Sequence, residues 1–295
     1  MAFVTRFAPS PTGPLHLGHA YSAIVAHDMA QAAGGTFLLR IEDIDQSRCR
    51  PEWEAQIYQD LQWLDLSWPQ PVMRQSSRMP AYQAALDDLW SRGLLYACTC
   101  SRRDIEQALS APQEGVAAAS GPDGPVYPGT CRRRNRPQSP RPRDAVLRLD
   151  MAAACRICAQ QGMVGFQETG PANGGWITTS DASYASEIGD IVVSRRDMGT
   201  SYHLSVVLDD AAQGISHVVR GEDLFEATRI HALLQRVLGL PTPIYHHHRL
   251  IRDDHGKRLA KRDDARALAK FRAEGATPAD IRRMVGLEPN SARNS

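Results

Sequence analysis

Residues 6–19 read Arg6-Phe7-Ala8-Pro9-Ser10-Pro11-Thr12-Gly13-Pro14-Leu15-His16-Leu17-Gly18-His19. Pro9, Pro11, Gly13 and Pro14 bar regular structure until His16. Upstream, Phe3-Val4-Thr5-Arg6-Phe7 has the β-branched and aromatic bias of a short strand. Downstream, Ala20, Ile24, Val25 and Ala30 keep helical spacing up to a stop at Gly34-Gly35. The order is strand, tight loop, helix. The first free N–H groups of that helix favour an anion, and His16 and His19 add donors one turn apart, so a phosphate-bearing ligand accounts for these residue types together. Gly18 leaves room for a flat ring or a backbone. Gly13-x4-Gly18 imitates the opening of a P-loop, but His19 stands where that motif requires lysine.

The chain has 295 residues, 42% of them hydrophobic, with no apolar run long enough to cross a bilayer, and reads as one large or two modest soluble domains. The N-terminus lacks the charged and apolar regions of an export signal, which predicts a cytoplasmic protein with no membrane association and six mostly reduced cysteines. A net charge of +1 excludes a surface coated in positive potential but leaves local basic patches open.

After the first helix, Thr36-Phe37-Leu38-Leu39-Arg40-Ile41 reads as a strand ending at Glu42, Asp43 and Asp45, which completes a βαβ unit of a parallel sheet. Trp53, Ile57, Leu61 and Leu64 form the stripe of an amphipathic helix, and residues 78–93 form another. Residues 111–125 are too rich in Gly, Ala, Pro and Ser to build a core and read as a flexible loop. Strand-like signals lie at Asp190-Ile191-Val192-Val193, at Tyr202 to Asp210, at His217 to Asp223 and at Ile244 to Ile251, with a helix at 227–238. The expected organisation is a doubly wound α/β domain whose first half is 1–96 and second half 186–256. Residues 97–185 are an insert, and 257–295 are a basic, helical C-terminal region.

Two constellations carry chemistry. Cys98-Thr99-Cys100 with Cys131 supplies three thiolates, and Cys155-Arg156-Ile157-Cys158 supplies two more, so spacing alone leaves two zinc-ligand sets open. A substrate with two carboxylates and an ammonium needs two cations and one anion on one rim. Arg6, Arg220 and Glu42 supply them, each at or past a predicted strand, and arginine suits the task because its fork takes a carboxylate bidentately. His246-His247-His248 is not read as a metal site, because alternation on a strand puts His247 opposite the other two.

As a whole, the fourteen-residue string resembles the HIGH signature of class I aminoacyl-tRNA synthetases, as His16-Leu17-Gly18-His19, within the glutamyl/glutaminyl branch. The resemblance runs from about Arg6 to Arg262 and implies a Rossmann sheet with a zinc-bearing insert and a short helical C-terminal region. It implies that Arg6, Phe7, Ala8, Pro9, Ser10, Glu42, Tyr202 and Arg220 bind L-glutamate. It also implies that His16, Gly18, His19, Arg258 and Lys261 bind ATP with Mg2+, and that His16, His19 and Lys261 are catalytic. Arg258-Leu259-Ala260-Lys261-Arg262 stands for the KMSKS loop, with Arg258 and Ala260 departing from its first lysine and a serine. A CxC followed by Tyr-x3-Cys is similar to the truncated, glutamyl-Q-type members of the class, in which Cys98, Cys100, Tyr127 and Cys131 would hold one structural Zn2+. Only residues 263–295 follow the loop, which leaves no room for an anticodon-reading domain. The implied activity is transfer of glutamate to the queuosine base of tRNA(Asp) by a monomer. RNA would be met by the arginines of 132–143 and by Arg266, Lys270, Arg272, Arg282 and Arg283. The alternatives are an unusual enzyme charging a tRNA 3′ end and a catalytically idle binding module.

Overall fold

The computed structural model describes residues 2–110, 120–132, 140–252 and 266–288. β1 (Val4–Phe7), α1 (Leu17–Ala32) and β2 (Thr36–Ile41) form the expected first unit. Gly34, at φ +61, ends α1, and a Cβ on Gly35 would lie 2.1 Å from the Phe3 carbonyl oxygen. Only glycines fit that turn. α2 (Pro51–Trp63), β3 (Met73–Arg74) and α3 (Met79–Ser91) follow. Next come β4 (Leu95–Cys98), α4 (Arg102–Ser110), and β5 (Ser120–Gly121) with β6 (Gly124–Pro125), a small hairpin within the span expected to be a flexible loop. β7 (Val146–Leu149), α5 (Met151–Ala159), β8 (Val164–Glu168) and β9 (Gly175–Thr179) lead to the short α6 (Asp181–Ser183) and β10 (Val192–Ser194).

The stretch from Tyr202, expected as a strand, is helix α7 (Tyr202–Ala212). Ser201 caps it by accepting from the Leu204 amide. Nearly every position of α7 from His203 to Asp210 is buried, so the helical period is hidden and Val206-Val207 mimics a strand. β11 (His217–Gly221), α8 (Ala227–Leu238), β12 (Ile244–His248), α9 (Leu268–Ala273) and α10 (Pro278–Met284) complete the chain.

β1 pairs in parallel with β2, and β2 with β3. On its other side β1 meets β11, where the Ser216 amide donates to the Val4 carbonyl at 3.1 Å. β11 pairs in parallel with β12 and β12 with β8, while β9 adds an antiparallel edge. Strand order thus reverses between β1 and β11, and a ligand crevice is expected beyond the carboxyl ends at such a point. β4, β7 and β10 form a separate antiparallel sheet. α1 buries Ala20, Ile24 and Ala30 against Phe37 and Leu39 of β2, each large apolar side chain contributing about 1.5–3 kcal/mol. Among the described residues no helix is long and apolar enough to cross a membrane.

The C-terminal helices dock through ion pairs. Arg282 of α10 donates to both oxygens of Asp28 on α1, at 2.7 and 2.8 Å, and Arg272 of α9 lies 3.0 Å from the buried Asp60 of α2. Burial pushes the Asp28 carboxyl up, but hydrogen bonds and charge from Arg282 outweigh it and hold the group down at about 2. A depressed carboxyl pKa adds stability above its unfolded value of 3.8, lost as pH falls through about 2. Arg282→Met should therefore be less stable than the parent above pH 4, with the difference shrinking toward pH 2, as read by urea unfolding across that range. A difference independent of pH would contradict this.

Candidate active site

The carboxyl ends of β1, β2 and β11 open onto a cavity of about 450 Å3. It is lined by Arg6, Phe7, Ala8, Pro9 and Ser10, by His16, Gly18 and His19 at the start of α1, and by Glu42, Tyr202 and Arg220. Residues far apart in sequence, expected separately to bind an amino acid and a nucleotide, share this one wall.

His16 is the N-cap of α1. Its Nδ1 accepts from the Gly18 amide at 3.1 Å, and the Nδ1 of His19 accepts from the His16 amide at 3.2 Å. Histidine replaces the usual hydroxyl and carboxylate of a reciprocal cap. An Nδ1 that accepts an N–H carries no proton, so both rings bear theirs on Nε2, and each is a neutral donor through that atom. Gly18 is small for a reason visible in the cap, since a Cβ there would lie 3.0 Å from Cε1 of His16.

Below the cavity lies a buried ion cluster that the sequence reading missed. Asp210 of α7 takes Nε of Arg6 at 3.0 Å and Nη1 of Arg40 at 2.8 Å, and Arg40, fully buried, also reaches Glu42 at 3.2 Å and Gln213 at 2.9 Å. Burial pushes the Asp210 carboxyl up, but the charges of Arg6 and Arg40 outweigh it and keep it below its ordinary value. Glu42 moves the other way, because burial exceeds the pull of Arg40 and Arg6 and its pKa is raised. The neighbouring Asp209 accepts from Gln75, Arg78 and Tyr82 at 2.9, 3.2 and 2.7 Å, which ties α7 to α3. Burial raises the Tyr202 phenol, so it enters the site as a neutral hydroxyl.

Arg220 is built differently. It donates to Nε2 of His247 at 3.1 Å, Nδ1 of His231 at 3.2 Å, the Leu224 carbonyl at 3.2 Å and Oγ1 of Thr228 at 2.6 Å. These take four of the five N–H groups of a guanidinium, leaving one on Nη1. In this arrangement the reach of the guanidinium left for a ligand is that single N–H.

Away from the cavity, the Sγ atoms of Cys98, Cys100 and Cys131 lie within 4.8 Å of one another, with the Tyr127 hydroxyl 3.5 Å from Cys98 and 3.3 Å from Cys100. All six cysteines are free thiols. Burial pushes the Cys131 thiol up, but hydrogen bonds from Tyr127 and Thr99 outweigh it and bring it down to about 6. Cys155 and Cys158 are instead buried in the main core with Ala154 and Leu233, their thiols pushed up by burial to about 12 and about 11. Arg258 and Lys261 lie outside the described residues. Of the basic residues expected to meet RNA, Arg132 pairs with Asp190, Arg141 and Arg143 with Asp87, Arg266 with Glu274, and Arg283 with Asp280. Each of those arginines has a carboxylate partner within the chain, Arg143 and Arg283 remaining exposed, and Arg133, Arg134 and Arg136 lie outside the described residues.

Residues 2–293 match the family described as tRNA synthetases class I (E and Q), catalytic domain. The chain is 65% identical over 287 residues to a glutamyl-Q tRNA(Asp) synthetase of Rhodobacter capsulatus, covering 96% of this chain and 100% of that one. It is 39% identical over 298 residues to a glutamyl-Q tRNA(Asp) synthetase of Nocardia farcinica, covering 98% and 86%. Among solved structures, a glutamate tRNA ligase from Elizabethkingia meningosepticum in complex with its amino acid superposes with a TM-score of 0.72 at 25% identity. That match covers 97% of this chain and 61% of the ligase.

Removing the anion at the centre of the ion cluster should be costly. Asp210→Asn leaves Arg40 with the carboxylate of Glu42 alone and Arg6 with none, and unfolding free energy should fall by about 3–5 kcal/mol. A loss below about 1 kcal/mol in urea unfolding would contradict the cluster's role.

Proposed function

The chain belongs to the family of class I tRNA synthetases of the glutamate and glutamine type, and from that premise we propose that it activates L-glutamate with ATP and transfers the glutamyl group to the queuosine base of tRNA(Asp). The observation that carries this reading is the single cavity on which Arg6, Glu42, Tyr202 and Arg220 meet His16 and His19 at a helix start.

The chemistry needs no enzyme nucleophile. A glutamate α-carboxylate oxygen attacks the α-phosphorus of ATP and pyrophosphate leaves; an oxygen of the acceptor then attacks the acyl carbon and AMP leaves. The first step concentrates negative charge on phosphate oxygens. The Nε2–H groups of His16 and His19, with the N-terminus of α1, are donors of the right kind to meet it. Arg6 and Arg220 supply cations for the two carboxylates, and Glu42 supplies the anion for the ammonium. Because the imidazoles are already held by backbone amides, little reorganisation is required as charge develops. Lys261 and Arg258 are proposed to complete the phosphate contacts, together with Mg2+.

Zn2+ fits the donor set of Cys98, Cys100 and Cys131, with the Tyr127 oxygen at the same cluster. Bound there it would supply a cross-link between the β4 region and the Cys131 turn, with no part in the reaction. The reading includes a cytoplasmic monomer, a compartment in which six free cysteines stay reduced.

Labelled glutamate should be accepted by tRNA(Asp) that contains queuosine and refused by the same tRNA made without it. Charging of the 3′ terminal nucleoside of tRNA(Glu) would replace this acceptor with the ordinary one, and absence of glutamate-dependent pyrophosphate exchange would leave only a binding module. For the metal, analysis of purified protein should find about one zinc per chain. It should be lost in Cys131→Ser and kept in Cys155→Ser, and the reverse pattern would contradict the cluster.

A further inference from the structure

The two arginines of the cavity differ in what neutralises them. Arg6 shares Asp210 with Arg40, so its charge is compensated inside the protein. Arg220 is as deeply buried, at 5% exposed, yet each of its four hydrogen bonds ends on an uncharged acceptor, and among the described residues it forms no ion pair.

The uncharged state of those acceptors is itself built. Glu168, 1% exposed at the end of β8, accepts the Thr169, Gly170 and His247 amides at 3.1, 2.6 and 2.9 Å, and takes Nδ1 of His247 at 2.5 Å. With its proton held on Nδ1, His247 presents a bare Nε2 to Arg220, which can only donate. On the other side, Nδ1 of His231 accepts from Arg220, so its proton sits on Nε2 and is given to Nδ1 of His203 at 3.1 Å. His203 in turn has Nε2 3.5 Å from Asp123. Both ends of this chain are carboxylates, and neither touches the arginine. Burial, with the charge of Arg220 added, holds His231 far below its ordinary pKa, and burial likewise lowers His247 against the pull of Glu168. Neither ring becomes a second cation in the neutral range.

We propose that Glu168, His247, His231 and Thr228 are positioning residues that hold Arg220 as a buried cation with no protein counter-ion, so that the side-chain carboxylate of the substrate becomes its counter-ion through Nη1. This rests on the glutamate-activation reading and deepens it. Glu42 and Asp223 also line the cavity but neither forms an ion pair with Arg220, and a buried guanidinium left without a counter-ion disfavours any ligand that brings no charge to it. Discrimination against a neutral amide of the same shape then follows from the missing counter-ion, while a pair of compensated arginines would discriminate weakly.

The test places a counter-ion where the protein has none. In His231→Asp and His231→Asn the new side chains have the same size and both accept from Nη1, but only aspartate brings charge. Pyrophosphate exchange should show a glutamate KM about tenfold or more higher in the Asp variant than in the Asn variant, with equal KM for ATP. The preference for glutamate over glutamine in kcat/KM should shrink in the Asp variant alone. Thr228→Asp against Thr228→Asn repeats the comparison at Nη2 should the first pair fail to fold. Equal glutamate KM and equal preference within a folded pair would overturn the proposal, since a purely structural role treats the two acceptors alike. If the parent protein shows no glutamate-dependent exchange, the functional reading fails instead.

Discussion

Asp210 holds two buried guanidiniums, from Arg6 on β1 and Arg40 on β2, and so joins α7 to the first two strands of the sheet. Ions taken this far from water are costly unless each is paired and its remaining donors are satisfied. The cluster meets that condition by continuing through Glu42 and Gln213 on one side, and by the bonds of Asp209 to Gln75, Arg78 and Tyr82 on the other. The wall of the cavity depends on it. Arg6 is fixed at the floor, Glu42 is held at the end of β2, and the start of α7 carries Tyr202 to the rim. A site for a small zwitterion is thus made from the same charges that lock the switch point of the sheet.

That dependence separates the two arginines that look equivalent in a sequence. The charge of Arg6 belongs to the fold, whereas Arg220 sits among neutral imidazoles whose tautomers are set from behind by Glu168 and His203. The same logic appears at the phosphate side, where His16 and His19 use their Nδ1 atoms on backbone amides and thereby present Nε2–H. In each case a hydrogen bond on the hidden side of a ring decides what the exposed side can offer.

Much of this was legible in residues 1–42, because prolines and glycines punctuate that stretch and a helix can start in only one place. The strand, the turn at Gly34-Gly35 and the cap at His16 all lie where local chemistry puts them. α7 was not legible as a helix, since a helix buried on most sides loses its amphipathic period, although Ser201 was an available capping signal. The partners of Arg220 were also hidden. Glu168, His231 and His247 come from β8, α8 and β12, and only the parallel pairing of β12 with β8 and β11, with α8 packed on β8, brings them together. The adjacent Asp209 and Asp210, inside an otherwise apolar run, were the one sequence hint of a buried cluster. For the cysteines, spacing left two ligand sets open, and the fold separates them: Cys131 meets Cys98 and Cys100, while Cys155 and Cys158 pack into the core.

The most direct measurement is a crystal structure with a non-hydrolysable analogue of glutamyl-adenylate. The account predicts the glutamate side-chain carboxylate about 3 Å from Nη1 of Arg220, with the four existing bonds of that guanidinium and the Arg6–Asp210 pair intact, and the phosphate mimic facing Nε2 of His16 and His19. A carboxylate bound instead to Arg6 with Asp210 displaced, or an Arg220 turned away from His231 and His247 to grip it with two N–H groups, would contradict it.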